Sequence, residues 1–130
     1  MSKPQTLGSL SPGQIEVMNV VWDRGKATVA EVWEALSAKR KIARNTVQTV
    51  MTRLEEKGWL AHEEQGAAFR YFPERPRETT LRNIVANLVD TAFAGSADSL
   101  VMALIEGRGV SEAEAARIRE AIARAERAEP

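Results

Sequence analysis

There is no cysteine among the 130 residues. Disulfides, zinc–thiolate sites, thiolate-based copper sensing and thiol nucleophiles are excluded together. Histidine occurs once, at His62, so neither a His-rich metal site nor a two-His catalytic pair can be assembled. No Gly-rich phosphate loop, no serine nucleophile with a histidine partner, and no acidic cluster beyond the solvated pairs Glu55-Glu56 and Glu63-Glu64 is present. The sequence therefore predicts no catalytic residues, no metal and no cofactor. The opening stretch Met1–Thr6 has no apolar core of a signal peptide. No run approaches the ~18 apolar residues of a membrane span. These absences predict a soluble, cytoplasmic chain with no membrane insertion. What is present, 44% apolar and 28% charged residues, is the balance of a chain that folds around a core. Its length suits one ordinary domain or two small ones.

Net charge is also missing, since 18 Lys and Arg balance 18 Asp and Glu. The balance is an average over unlike halves. Residues 1–77 hold twelve Lys/Arg against nine Asp/Glu, and residues 78–130 hold six against nine. Within the first half, residues 39–53 contain Lys39, Arg40, Lys41, Arg44 and Arg53 and no acid. Such a local basic stripe is either a solvated helix face or a nucleic-acid footprint.

Residues 1–9 read as a loose arm. A helix then begins with Ser11 as N-cap, Pro12 at the first helical position and Gln14 completing a capping box. Leu10 and Ile15 stand at the two positions of a hydrophobic staple. Ile15, Met18 and Trp22 follow at helical spacing, with Val21 beside them, and Gly25 stops the helix. A second helix opens on the capping-box pair Thr28 and Glu31. Its apolar face is Val29, Val32, Trp33 and Leu36. A third runs from about Arg44 to Lys57, with Val47, Val50, Met51 and Leu54 repeating the same stripe. At ~100° per residue the apolar centre is predicted near Val47 and Val50. Trp22 and Trp33 are expected in the core.

The opposite side of the third helix carries the chemistry. Asn45, Thr49, Thr52 and Glu56 lie there, flanked by Gln48 and Arg53, with Thr46 at the N-terminal end. Major-groove readout needs donors and acceptors that match base edges. Asn pairs with adenine, Arg with guanine, and Thr touches a thymine methyl or a phosphate. Asn45, Thr46, Gln48, Thr49 and Arg53 supply that set. Thr28 and Arg44, near the starts of the second and third helices, are placed for phosphates, because helix N-termini present free N–H groups. Lys41, with Lys39 and Arg40, adds candidate counterion-releasing contacts. These residues make double-stranded DNA the expected partner.

After Gly58 the period changes. Trp59–Glu64 and Ala68–Pro73 flank Gln65-Gly66-Ala67 and read as a β-hairpin. It acts either as a wing, with Arg70 its only basic residue, or as a lid on the core through Trp59, Leu60, Phe69 and Tyr71. His62 is expected to be an exposed or half-buried strand residue. Three helices and a hairpin in this order predict a winged helix-turn-helix.

Pro73 and Pro76 bracket a break, beyond which the chain is helical again. Leu81, Ile84, Val85 and Leu88 form one stripe. Leu100, Val101, Leu104 and Ile105 form a short apolar helix ending at Gly107–Gly109. Ser111 and Glu114 open a last helix carrying Ile118 and Ile122. These helices are too small to build a core alone. Their stripes either fold back on the N-terminal domain or, the economical solution, pair with a second copy. The predicted architecture is mainly α with a small β-hairpin. A winged helix-turn-helix domain (1–75) precedes an α-helical dimerisation domain (76–130).

The motif Leu10-Ser11 … Glu16-Val17-Met18 … Trp22 … Gly25 … Thr28-Val29 … Glu31-Val32 resembles the opening of BlaI/MecI-type penicillinase repressors. Thr46-Val47-Gln48-Thr49 … Arg53-Leu54 … Lys57-Gly58-Trp59-Leu60, then Gly66 … Phe69 … Tyr71 … Pro73, is similar to their recognition helix and wing. The resemblance spans about residues 7–125. It implies a homodimeric winged-helix repressor on a palindromic operator near β-lactamase or related genes. It also implies C-terminal helices that dimerise, and a membrane metallopeptidase sensor that triggers cleavage within them. Three positions depart from the pattern. The cleaved Asn-Phe bond corresponds to Ala103-Leu104, the basic residue after the wing glycine is Ala67, and the serine that caps the recognition helix is Ala43. Two other readings stand beside the repressor: a regulator released by a small molecule bound between the C-terminal helices, and a winged helix used for protein–protein contact.

Overall fold

The computed structural model describes residues 10–129; the arm expected at 1–9 lies outside them. The described chain forms α1 (Pro12–Arg24), α2 (Val29–Ser37), α3 (Arg44–Glu56), β1 (Leu60–Gln65), β2 (Ala68–Pro73), α4 (Arg77–Ala92), α5 (Ala97–Glu106) and α6 (Glu112–Ala128). It divides into two compact units, one running to Ile84 and the other starting at Val85, so α4 belongs to both.

Local chemistry explains the helix starts. The Ser11 and Thr28 hydroxyls accept from the Gln14 and Glu31 backbone N–H groups at 3.2 and 3.1 Å. The reciprocal side-chain bonds complete both capping boxes, as the sequence predicts. Ser111 and Glu114 do the same for α6. Gly25 closes α1 at φ +83°, its N–H bonded to the Val21 carbonyl at 2.7 Å, a conformation that suits glycine.

The core of the first unit is built from one face of each helix. Val17, Met18 and Val21 of α1 meet Val32 and Leu36 of α2 and Val47, Met51 and Leu54 of α3. Val50 is only half-buried. The apolar centre of α3 therefore lies toward Met51 and Leu54 rather than Val50, because neighbouring elements and not the helical wheel decide which side is covered. Truncating a fully buried side chain such as Leu54 to alanine costs about 2–5 kcal/mol.

The hairpin pairs Leu60 with Pro73 through Gln65 with Ala68 in antiparallel register. The turn is thus two residues, Gly66-Ala67, with Gly66 at φ +64°, and one residue shorter than the sequence suggests. A third, one-residue strand exists that no periodicity announced. Ala27 and Tyr71 exchange backbone bonds of 2.9 and 2.8 Å, tying the α1–α2 link to the hairpin. Trp59, Leu60 and Tyr71 are buried, whereas Phe69 is 44% exposed. The expectation that Phe69 lids the core is therefore corrected. It pairs with Glu64 near the turn, at the border of a groove rather than under the helices.

Trp22 and Trp33 pack against the core half-buried, each with its indole N–H satisfied. Trp22 donates to the Arg75 carbonyl at 2.8 Å and Trp33 to the Ile42 carbonyl at 2.9 Å. The first turn of α4 is held in the same unit. Arg77 donates to Asp23 at 2.6 Å and sits 5.5 Å from the Trp22 ring centre, and Thr80 is buried.

In the second unit, α5 begins at the Ser96 cap and α6 at its capping box, and neither buries any side chain. Val85, Leu88, Val101, Leu104, Ile105, Ile118 and Ile122 are exposed, as is Met102, which the predicted stripes omitted. Leu81 is exposed and Ile84 half-buried in the first unit, while Leu100 is half-buried in the second. Among the described residues no single helix is long and apolar enough to cross a membrane.

Candidate nucleic-acid interface

Burial of Val47, Met51 and Leu54 turns the opposite side of α3 outward. Arg44, Asn45, Thr46, Gln48, Thr49, Thr52 and Arg53 are all exposed. Asn45, Gln48, Thr49, Thr52, Arg53 and Glu56 border one open groove along the helix. The groove carries amide, hydroxyl and guanidinium groups over most of its length, with its acid at the C-terminal end.

The cations around it are not equivalent. Lys41, Arg44 and Arg53 are exposed, and among the described residues neither they nor Lys39 forms an ion pair. Arg40 differs, for its guanidinium donates to Glu16 of α1 at 2.7 Å. That hydrogen bond, reinforced by the Glu16 charge, pushes the Arg40 pKa further up. Arg40 is thereby partly neutralised, and the trio expected from the sequence leaves two unpaired lysines. Arg70 is half-buried and donates to Gln65 within the hairpin at 3.0 Å.

Ala43 occupies the N-cap of α3 and supplies no side-chain acceptor; only its carbonyl accepts, from the Thr46 and Val47 N–H groups at 3.1 and 3.3 Å. Thr28 is half-buried, its hydroxyl oxygen accepting the Glu31 N–H, which leaves its O–H free to donate. It borders a second groove with Arg44, Gln48, Ala67, Phe69 and Tyr71. Gln48 is common to both grooves.

A contact absent from the sequence reading joins α3 to the hairpin. His62 Nδ1 lies 2.6 Å from Glu55 Oε2, and the imidazole stacks on Phe69 with ring centres 4.1 Å apart. Tyr71 is beside them, 5.6 Å from His62. Burial pushes the Tyr71 phenol above its ordinary pKa, the Glu55 charge adds to the rise, and a hydrogen bond with Thr52 opposes it. A half-buried His seven residues after a Glu, across a Gly58 break, was the only trace of this link in the sequence. Among the described residues no group of His, Asp and Glu is placed to hold a metal ion.

A helix that turns amide, hydroxyl and guanidinium side chains outward beside a two-stranded hairpin defines a winged helix-turn-helix DNA-binding protein. The penicillinase repressor family model matches residues 10–124. The chain belongs to the penicillinase repressor family. The transcriptional regulator BlaI of Mycobacterium tuberculosis is 34% identical over 119 residues, covering 90% of this chain and 84% of that protein. The methicillin resistance regulatory protein MecI of Mammaliicoccus sciuri is 24% identical over 110 residues, covering 85% and 89%. The solution structure of the DNA binding domain of the repressor BlaI aligns with a TM-score of 0.51 and 32% identity, covering 59% of this chain and 90% of that domain. The winged helix, the repressor class and the tie to antibiotic-resistance regulation thus agree with the sequence reading, and these relatives are named as regulators.

Proposed function

We propose that this chain represses transcription as a homodimer on a palindromic operator, near β-lactamase or related resistance genes. Residues 1–75 act as the reading module and 76–130 as the dimerisation module. The observation that carries the reading is the exposed face of α3, with no acid before Glu55 and with Arg44 and Arg53 in no ion pair among the described residues. Asn45, Thr46, Gln48, Thr49 and Arg53 read base edges. Thr28, Lys41 and Arg44 hold phosphates, and Arg70 lies on the wing. In a symmetric dimer two such helices enter successive major grooves about 34 Å apart.

The exposed side chains of α4, α5 and α6 support the paired state. Val85, Leu88, Val101, Leu104, Ile105, Ile118 and Ile122 form too large an apolar set for a solitary soluble unit. Leu81, Ile84 and Leu100 extend the same stripes. Repression then follows from occluding polymerase, and induction from losing the dimer, since one half-site binds far more weakly than two linked ones. The family resemblance supplies a membrane metallopeptidase sensor as the inducing partner. The bond that corresponds to the family's cleavage point, Ala103–Leu104, lies within α5, so the helix would have to unwind before cutting.

A second reading has one observation in its favour. A groove between α5 and α6 is lined by Leu104, Val110, Ile118 and Ala121, with Arg108, Glu114 and Arg117 at its edge. It would suit a small amphipathic ligand that releases the operator without proteolysis. Footprinting on the DNA upstream of the protein's own gene across a salt series tests the repressor reading. A symmetric protected site that weakens with salt is expected, and no salt-sensitive protection would exclude it.

A further inference from the structure

Phe69 is the one large apolar side chain of the hairpin that stands exposed, yet it is held in place. Its ring stacks on His62 at 4.1 Å with 15° between the planes, and His62 is gripped by Glu55 of α3 at 2.6 Å. The helix that reads bases thus fixes, through one intermediate ring, an aromatic surface on the wing. That surface borders a groove with Thr28, Arg44, Gln48 and Ala67. Gln48 also borders the reading face, so the two grooves meet at that residue. The wing carries a single cation, Arg70, which is half-buried. Ala67 and Ala68 sit at its tip, and Arg70 is bonded to Gln65. One tethered cation gives the wing little charge with which to hold a duplex. What it also offers is a carbon face that borders the same groove as Arg44. The edge of a DNA strand has the matching pattern, a C–H-rich sugar beside an anionic phosphate.

We propose that Phe69 is the DNA-contacting residue of the wing. It packs against a deoxyribose of the backbone that borders the major groove entered by α3, while Arg44 takes the adjoining phosphate. His62 and Glu55 are positioning residues that hold the ring. The inference rests on the DNA-binding reading above.

Fluorescence anisotropy tests it, using a duplex from the region upstream of the protein's own gene and a scrambled duplex of equal length, across a salt series. Phe69→Ala is expected to weaken both duplexes about five- to tenfold, from the apolar surface no longer covered. The slope of log affinity against log salt should not change, because no counterion-releasing contact is lost. Phe69→Tyr should restore most of the affinity. His62→Ala should produce a smaller loss of the same kind, and the double variant should bind no more weakly than Phe69→Ala alone, the mark of two residues acting through one contact. Thermal melts accompany each variant. If Phe69→Ala melts early, Phe69→Gln carries the same test with bulk kept and apolarity removed.

Three results would overturn the contact: wild-type affinity in the variant, a slope reduced by about one phosphate, or a loss confined to the upstream duplex. If the wild-type protein binds neither duplex in a salt-dependent way, the DNA-binding reading itself fails. If it binds and Phe69→Ala matches it, only the wing contact fails.

Discussion

The indole N–H of Trp33 donates to the carbonyl of Ile42 at 2.9 Å. One side chain of α2 thereby ties down the far end of the turn from which α3 departs. Trp33→Phe keeps the ring packed against the core but removes the donor. Losing one part-buried hydrogen bond is expected to lower unfolding free energy by about 0.5–1.5 kcal/mol. Urea denaturation checks this, and an unchanged midpoint would show that the bond contributes nothing.

The missing cap on α3 can be supplied. Ala43 has the extended backbone of an N-cap, φ −80° and ψ 145°, and no side-chain oxygen. Ala43→Ser should stabilise the fold by about 1 kcal/mol. Thermal unfolding at fixed protein concentration measures it, and a destabilised variant would contradict the cap geometry.

Asn45 and Thr46 stand exposed at the start of α3. Replacing either with alanine should alter sequence preference, with a loss of about 1–3 kcal/mol at one base position. Binding to a panel of single-base operator variants reads this directly. A variant that keeps the wild-type ratio of specific to scrambled binding does not read bases at that residue.

Lys41 should behave differently. It is exposed and forms no ion pair among the described residues. Lys41→Ala should weaken all duplexes alike and reduce the salt slope by about 0.9, the share of one phosphate. An unaltered slope would remove it from the contact set.

The apolar C-terminal face makes its own forecast. Leu88 and Leu104 are each 42% exposed, so aspartate at both positions should leave the first unit folded and yield monomers. Sedimentation velocity gives the answer, and intact dimers would place the interface elsewhere.

Much of this molecule was legible without coordinates because its cues are local. The capping boxes at Ser11, Thr28 and Ser111, the stops at Gly25 and Gly58, and the i, i+3, i+4, i+7 stripes are set by residues within a turn or two of one another. The polar strip of α3 belongs with them, since burying Val47, Met51 and Leu54 necessarily turns Asn45, Gln48 and Thr49 outward.

What the chain could not announce were contacts between residues far apart along it. Alternation assigned Phe69 and Tyr71 to one face of β2. Only the extent of the helical layer decided that Tyr71 is buried and Phe69 is not. Composition counted Arg40 among the free cations, and only the approach of Glu16, 24 residues earlier, took it out. The Ala27–Tyr71 bridge needs a one-residue strand, too short for any period to mark. Local chemistry therefore fixed the elements and the character of the reading helix. Packing across the chain settled which charges remain available and which ring the wing holds out, because burial and pairing depend on what lies opposite in space.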